Sequence, residues 1–292
     1  MRLALAVSVI AALICVPFAS EAQTPCGRLI SMAPSITETL YALGLGANVV
    51  GVTTFCQRPK EAASKPKVGG YFDVNYEAAL SLRPTLVVIH SGRGDQEERL
   101  KRLGVKTLSV DHASVTGIIG SIETIGSLCG VDENAKRLVN GLRQRMDKIR
   151  AKVNGARRPR VLVAVGRNLG STSVAEAYIA GKKSYYDDLI TIAGGVNAYE
   201  GLAVATPMVS AEGIIWLKPD YVIELIPPLN GKEPDPSAAE KDWDKLSAMG
   251  GGFKVRAIIG AHTVIPGPDF AVLLEQMAKI IHPEIVWERA AP

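Results

Sequence analysis

Ten side chains in this sequence combine useful chemistry with a place beside a short apolar run: Ser35, Phe55, Arg58, Tyr71, His90 and Arg93 in the first half, Arg167, Tyr178, Tyr199 and Asp269 in the second. Three guanidinium groups, Arg58, Arg93 and Arg167, could hold carboxylate or phosphate groups through paired hydrogen bonds. Each candidate has a plainer reading. Ser35 and Glu38 fit an S-x-x-E capping box. Phe55 could be ordinary core, His90 a satisfied surface imidazole, and the three arginines solvated surface charges.

Motifs for catalysis are missing. "GLGANVVG" contains G-x-G, but it follows a helical pattern and leads into a strand pattern, the reverse of a dinucleotide site. "GKKS" at 181 lacks the earlier Gly and the adjacent Ser or Thr of a phosphate loop, and no G-x-S-x-G, H-E-x-x-H or C-x-x-C occurs. His90, His112, His262 and His282 are dispersed, so a bare metal ion could be held only by assembly across the fold. No resident cofactor is implied. A secreted α/β enzyme would need a nucleophile and base in reach, and no such pair is recognisable.

The elements that must position these residues alternate. Short β-branched runs, "RLISMA", "NVVGVTTF", "TLVVIH" and "KTLSVD", read as strands, with helical patterns near 35–43, 76–82, 96–103 and 115–128. The alternation restarts after position 158 with "RVLVAVG", "VNAYEGL", "DYVIELI" and "HTVIPG", and helices near 185–193, 211–217 and 270–281. The expectation is an α/β protein of two Rossmann-like lobes, each on a parallel sheet, with a ligand cleft between them. Between the lobes, residues 132–153 place Ala135, Leu138, Leu142, Met146, Ile149 and Val153 at three- and four-residue steps, predicting one stiff amphipathic helix that disfavours large hinge closure. In open parallel sheets ligands lie beyond the carboxyl ends of the strands, which makes the residues after the apolar runs the site candidates.

The expected organisation is a leader over 1–22, a first lobe over 23–130, a connecting helix over 131–155 and a second lobe over 156–292. "MRLALAVSVIAALICVPFASEAQ" has one Arg, an apolar stretch shorter than the ~20 residues of a membrane span, and small residues Ser20 and Ala22 spaced for cleavage before Gln23. Ile14 before Cys15 does not suit a lipoprotein signal, so an exported, periplasmic protein is expected. In an oxidising compartment Cys26 and Cys129, both expected on the amino-terminal side of the first sheet, would make the preferred disulfide, with Cys56 left over; three unpaired thiols is the alternative. A net charge of +4 without any long basic run argues against nucleic acid.

The chain also repeats itself: "NYEAALSLRPTLVVI" at 75–89 is echoed by "SAEGIIWLKPDYVIE" at 210–224. Each copy has a capping residue, a Glu two positions on (Glu77, Glu212), then a basic residue and Pro before a strand.

With "RLISMAPSITETLYALGLGANVVGVTTFC", "KPKVGGYFDVNYEAALSLRPTLVVI" and "VSAEGIIWLKPDYVIE", the sequence resembles the helical-backbone class of ABC-importer substrate-binding proteins, which includes cobalamin-binding and ferric-siderophore-binding members. The resemblance implies that Glu77 and Glu212 dock on Arg residues of an inner-membrane permease dimer with ATPase subunits, and that the chain is a monomer carrying a metal chelate. It implies an aromatic cleft at Phe55, Tyr71 and Tyr178, but His90 and Thr206 stand where a cobalamin binder has Trp. A corrinoid is the expected ligand. A ferric siderophore or heme-like iron chelate, or a bare divalent ion, are the alternatives.

Overall fold

The computed structural model describes residues 25–287 except 170, 172, 230, 231 and 251; the expected leader lies outside the described residues. The first lobe contains β1 (Leu29–Ser31), α1 (Pro34–Ala42), β2 (Val49–Val52), α2 (Lys60–Ala63), α3 (Tyr76–Ser81), β3 (Leu86–His90), α4 (Gly94–Arg102), β4 (Thr107–Val110) and α5 (Val115–Leu128). Its four strands are parallel in the order β2-β1-β3-β4. In β3, Leu86 and Val88 enter a core shared with α1 and α5, while Val87 and Ile89 face a second layer with Ala79 and Leu100. Burial on both faces explains why this strand reads as a continuous apolar run instead of an alternating one.

Next comes α6 (Asp132–Val153), in which Ala135, Val139, Leu142, Met146 and Ile149 form one buried stripe. Its first turn is tied to the first lobe by Asn134 Nδ2, which donates to the Leu43 carbonyl at 2.9 Å. Further along, Arg145 Nε donates to Glu275 Oε1 at 2.7 Å, a contact with the second lobe.

The second lobe adds β5 (Arg160–Gly166), β6 (Glu176–Ile179), α7 (Tyr185–Ile192), β7 (Val196–Asn197), β8 (Met208–Ser210), α8 (Ala211–Trp216), β9 (Tyr221–Ile226), α9 (Pro236–Lys241), α10 (Asp244–Met249), β10 (Lys254–Ile259) and α11 (Phe270–Ile281). Here the expectation of a purely parallel sheet is corrected. β10, β9, β5 and β7 are parallel, but β6 and β8 extend the edge antiparallel. "HTVIPG" is not a strand: residues 261–263 form a short 3-10 turn, and the strand is β10 upstream. That apolar segment is used between lobes: a Cβ at Gly267 would lie 3.5 Å from Ser35 and 3.1 Å from Glu38 Oε2, both of α1.

The echoed segments fold alike. Asn75 Oδ1 accepts from Ala78 N at 2.9 Å and Ser210 Oγ from Gly213 N at 3.3 Å, capping α3 and α8. The basic residue before each proline is left-handed, Arg83 at φ 45° and Lys218 at φ 47°. The proposed capping box at Ser35 is overturned: α1 starts at Pro34 with Ala33 as its uncapped N-terminal residue, so Ser35 lies inside the helix.

Cys26 and Cys129 are joined in a disulfide across a sequence separation of 103, and Cys56 is a buried free thiol. The bond ties the chain's entry into β1 to the end of α5. Replacing both cysteines by Ser is expected to lower unfolding stability by about 2–5 kcal/mol, measured as a shift in the denaturant midpoint.

Candidate functional site

The carboxyl ends of the first sheet present a connected group. Ser35 Oγ and His90 Nε2 are 3.0 Å apart. The His90 ring stands edge-on to His112 with centroids 4.8 Å apart and to Tyr71 at 6.1 Å. Arg93 lies over the Tyr71 ring at 3.8 Å and the Phe72 ring at 4.3 Å. Gln96 Nε2 donates to the Tyr71 and Phe72 carbonyls, fixing the loop that carries both rings. Phe55 and Phe72 are 63% and 78% exposed, so this rim offers aromatic surface that the fold itself does not bury.

Two members of this group have an unusual polar environment. His112 is buried, and neither ring nitrogen forms a hydrogen bond; the Pro266 carbonyl of the second lobe lies beside it outside good geometry. Burial lowers His90 to about 4 and His112 to about 3, the neighbouring His90 adding to the second effect. Both imidazoles are therefore neutral at neutral pH.

On the second lobe Tyr178 pairs with Gly166 in the register of β6 and β5, which sets its half-exposed ring beside the carboxyl end of β5. Arg167 follows β5 too, but its expected role in ligand binding is corrected by its surroundings. The side chain is 1% exposed; Nε and Nη2 donate to the Glu224 carboxylate at 2.6 and 3.2 Å, and Nη2 to Asp242 at 2.8 Å. Trp243 Nε1 donates to the same Glu224 at 2.8 Å. A guanidinium satisfied by the buried Glu224 and the partly buried Asp242 organises the lobe interior.

Arg58 is likewise engaged: its Nη2 is 2.7 Å from Asp269 Oδ2 of the second lobe. The structure also corrects Tyr199. It lines a groove of about 830 Å³ with Arg160, Trp216 and Lys218, at the end where β5 and β9 begin. β7 is only two residues long and pairs with the start of β5, so the residue after it never reaches the carboxyl edge. Sequence reasoning missed Phe72, although its place beside Tyr71 in a Gly-Gly-initiated loop was a usable signal. Among the described residues no three His, Cys, Asp or Glu side chains gather as a metal-ion site.

The model of the periplasmic binding protein family matches residues 29–241. The chain belongs to this family. An uncharacterized ABC transporter substrate-binding lipoprotein of Bacillus subtilis is 28% identical over 265 residues, covering 88% of this chain and 80% of that one. A vitamin B12-binding protein of Vibrio parahaemolyticus is 28% identical over 203 residues, or 69% of this chain and 71% of its own. The crystal structure of the periplasmic vitamin B12 binding protein BtuF of Vibrio cholerae superposes with a TM-score of 0.75 at 21% identity, covering 89% of this chain and 98% of that chain. Phe55, Tyr71, Phe72 and Arg93 follow strands of the first lobe, His90 ends β3, and Tyr178 lies beside the carboxyl end of β5 in the second.

The histidine pair gives a pH test. Their folded values lie below the ordinary 6.5, so the stability they contribute is present above about 6.5 and lost as pH falls through 4 and 3. The unfolding free energy from urea titrations should fall between pH 6.5 and 4 by up to roughly 1.4 kcal/mol per pH unit for each histidine. His112→Asn should flatten that slope.

Proposed function

We propose that the chain is the substrate-binding component of an ABC importer and carries a bulky, largely uncharged metal chelate of the corrinoid class. The observation that carries this reading is how the arginines are spent. Three guanidinium groups would have suited an anionic ferric chelate, but Arg167 is enclosed by Glu224 and Asp242, and Arg58 is paired with Asp269. Arg93 has no carboxylate partner among the described residues, and its guanidinium packs against the Tyr71 and Phe72 rings. What remains for a ligand is aromatic area from Phe55, Tyr71, Phe72 and Tyr178, the neutral His90 imidazole and the single Arg93 guanidinium, a surface suited to a large, flat, weakly charged body. The vitamin B12-binding relative supports the same class.

Glu77 and Glu212 are proposed as the permease contacts. Both are exposed on the first turn of equivalent helices, one per lobe, which suits a partner close to two-fold symmetry. The Glu212 carboxyl is lowered by its own backbone N–H and the Ser210 hydroxyl, so the charge is kept and held in place. Such rim charges steer encounter and fix register more than they add affinity. Export to the periplasm belongs to this proposal, as do a permease and ATPase as partners; no bond in the cargo is made or broken.

Native mass spectrometry of the purified protein offered cyanocobalamin, hemin, a ferric catecholate and Zn²⁺ separates the ligand classes. Retention of the corrinoid is expected, with a Kd that changes less than about threefold between 50 and 500 mM NaCl, because the pair lacks a strong net attraction to screen. Selective retention of the catecholate or hemin with salt-weakened binding would replace the corrinoid by an anionic chelate, and retention of Zn²⁺ alone would make the protein an ion receptor.

Glu77→Lys together with Glu212→Lys is expected to abolish transport with the cargo Kd unchanged. Equal loss of binding in that variant would assign both residues to folding.

A further inference from the structure

At the junction of the lobes one guanidinium stands between two carboxyl groups of opposite lobes. Arg58 Nη2 reaches Asp269 Oδ2, just before α11 of the second lobe, at 2.7 Å, and Arg58 Nε lies 3.7 Å from Glu38 Oε1 of α1 in its own lobe. The two acids differ in setting. Asp269 is 44% exposed, whereas Glu38 is 9% exposed and neither of its oxygens accepts a hydrogen bond. Glu38, Tyr41, Arg58, Asp269 and three apolar residues enclose a cavity of about 210 Å³. The Tyr41 hydroxyl there is also buried and without a partner. The Gly267 backbone closes the far side, since a Cβ at that position would sit 3.1 Å from Glu38 Oε2.

The groups facing Glu38 are thus Tyr41 on its own helix, Arg58 in the loop after β2, Asp269 before α11, and the buried Tyr185 of α7, which feels the Glu38 charge; Glu61 of α2 acts on Tyr41. A carboxyl enclosed without donors favours its neutral form. Burial raises Glu38 to about 7, Arg58 opposing the shift and Asp269 adding to it.

We propose that Glu38, Arg58 and Asp269 form a proton-governed clasp between the lobes. With Glu38 neutral, Arg58 has a single anion to serve and ties the first lobe to Asp269 of the second. When Glu38 ionises, an anion on Arg58's own lobe competes for the same guanidinium, and the two carboxylates repel each other across the junction. The tie slackens. Glu38 is raised above its unfolded value, so the stability it contributes is complete below about 4.5 and lost as pH rises through about 7. The clasp is a property of the lobe junction and does not depend on which cargo is carried.

The test places spin labels at Glu98→Cys and Lys245→Cys, exposed positions on either lobe, with Cys56 buried and out of reach. Inter-label distance distributions are recorded at pH 5.5 and 8.5 without cargo, and the Glu38 carboxyl is followed by ¹³C NMR. The unsubstituted clasp should give a narrow distribution at pH 5.5 and a broader one at 8.5, with the carboxyl titrating near pH 7. E38Q should stay narrow at both pH values, and D269N broad at both. R58Q, which leaves both acids in place, should also be broad at both and stands in should E38Q fail to fold. A distribution that is the same at both pH values in the unsubstituted clasp, an E38Q protein that still broadens with pH, or an R58Q protein that stays narrow at both would each overturn the proposal.

Discussion

The constraint on which the structure depends is one uninterrupted apolar core that runs from the first sheet through α6 into the second. Leu29, Ile36 and Val88 of the first lobe, Leu142 and Met146 of α6, and Val161, Ile223, Phe270 and Leu274 of the second belong to the same packed cluster. Interiors of this kind are close-packed, and sliding one half past the other would open voids that cost the buried contacts their partners. The lobes therefore move only slightly, and the proposed recognition falls to side chains already in place at the strand ends. A preformed site spares much of the ordering cost of binding.

Within that frame, charge is disposed to leave the facing surfaces almost neutral. Arg167 and Glu224 are both nearly fully buried and satisfy each other along with Asp242 and Trp243, so the second lobe hides a cation at the very position where a carboxylate-bearing cargo would have looked for one. On the first lobe the imidazoles of His90 and His112 are kept uncharged by burial. Charge survives in two places, Arg58 with its two acids at the lobe junction and Arg93 against the Tyr71 and Phe72 rings.

Much of the scaffold could be read locally. α5, α6 and α11 were bounded by a single helical periodicity that ends at Cys129, Asn154 and His282, and β3 and β9 by runs of branched apolar residues. β6 and β8 escaped because "EAYI" and "MVS" are short segments with exposed residues at one side of the sheet, held by their neighbours more than by their own pattern. β10 escaped because the apolar segment after it, at 263–265, looked more like a strand and is spent instead on the lobe junction. The site was harder. Ser35 turned from cap to hydrogen-bond partner through His90, 55 residues away, and Arg167 was claimed by acids 57 and 75 residues distant. Residue type and strand position marked these side chains as chemically capable, but the partners that decide their role come from elements no local window contains.

The bond between Cys26 and Cys129 lies at the base of the first lobe, three residues before α6, and Asn134 fastens the opening turn of that helix to Leu43. The beginning of α6 is thus welded to one body, while its far end passes through extended Asn154 and left-handed Gly155 into β5. Whatever slight rocking the molecule allows has its fulcrum at that distal end, some 30 Å from the weld for a helix of this length. A lever so long converts a few degrees at residues 154–155 into movement of an ångström or more at the opposite end.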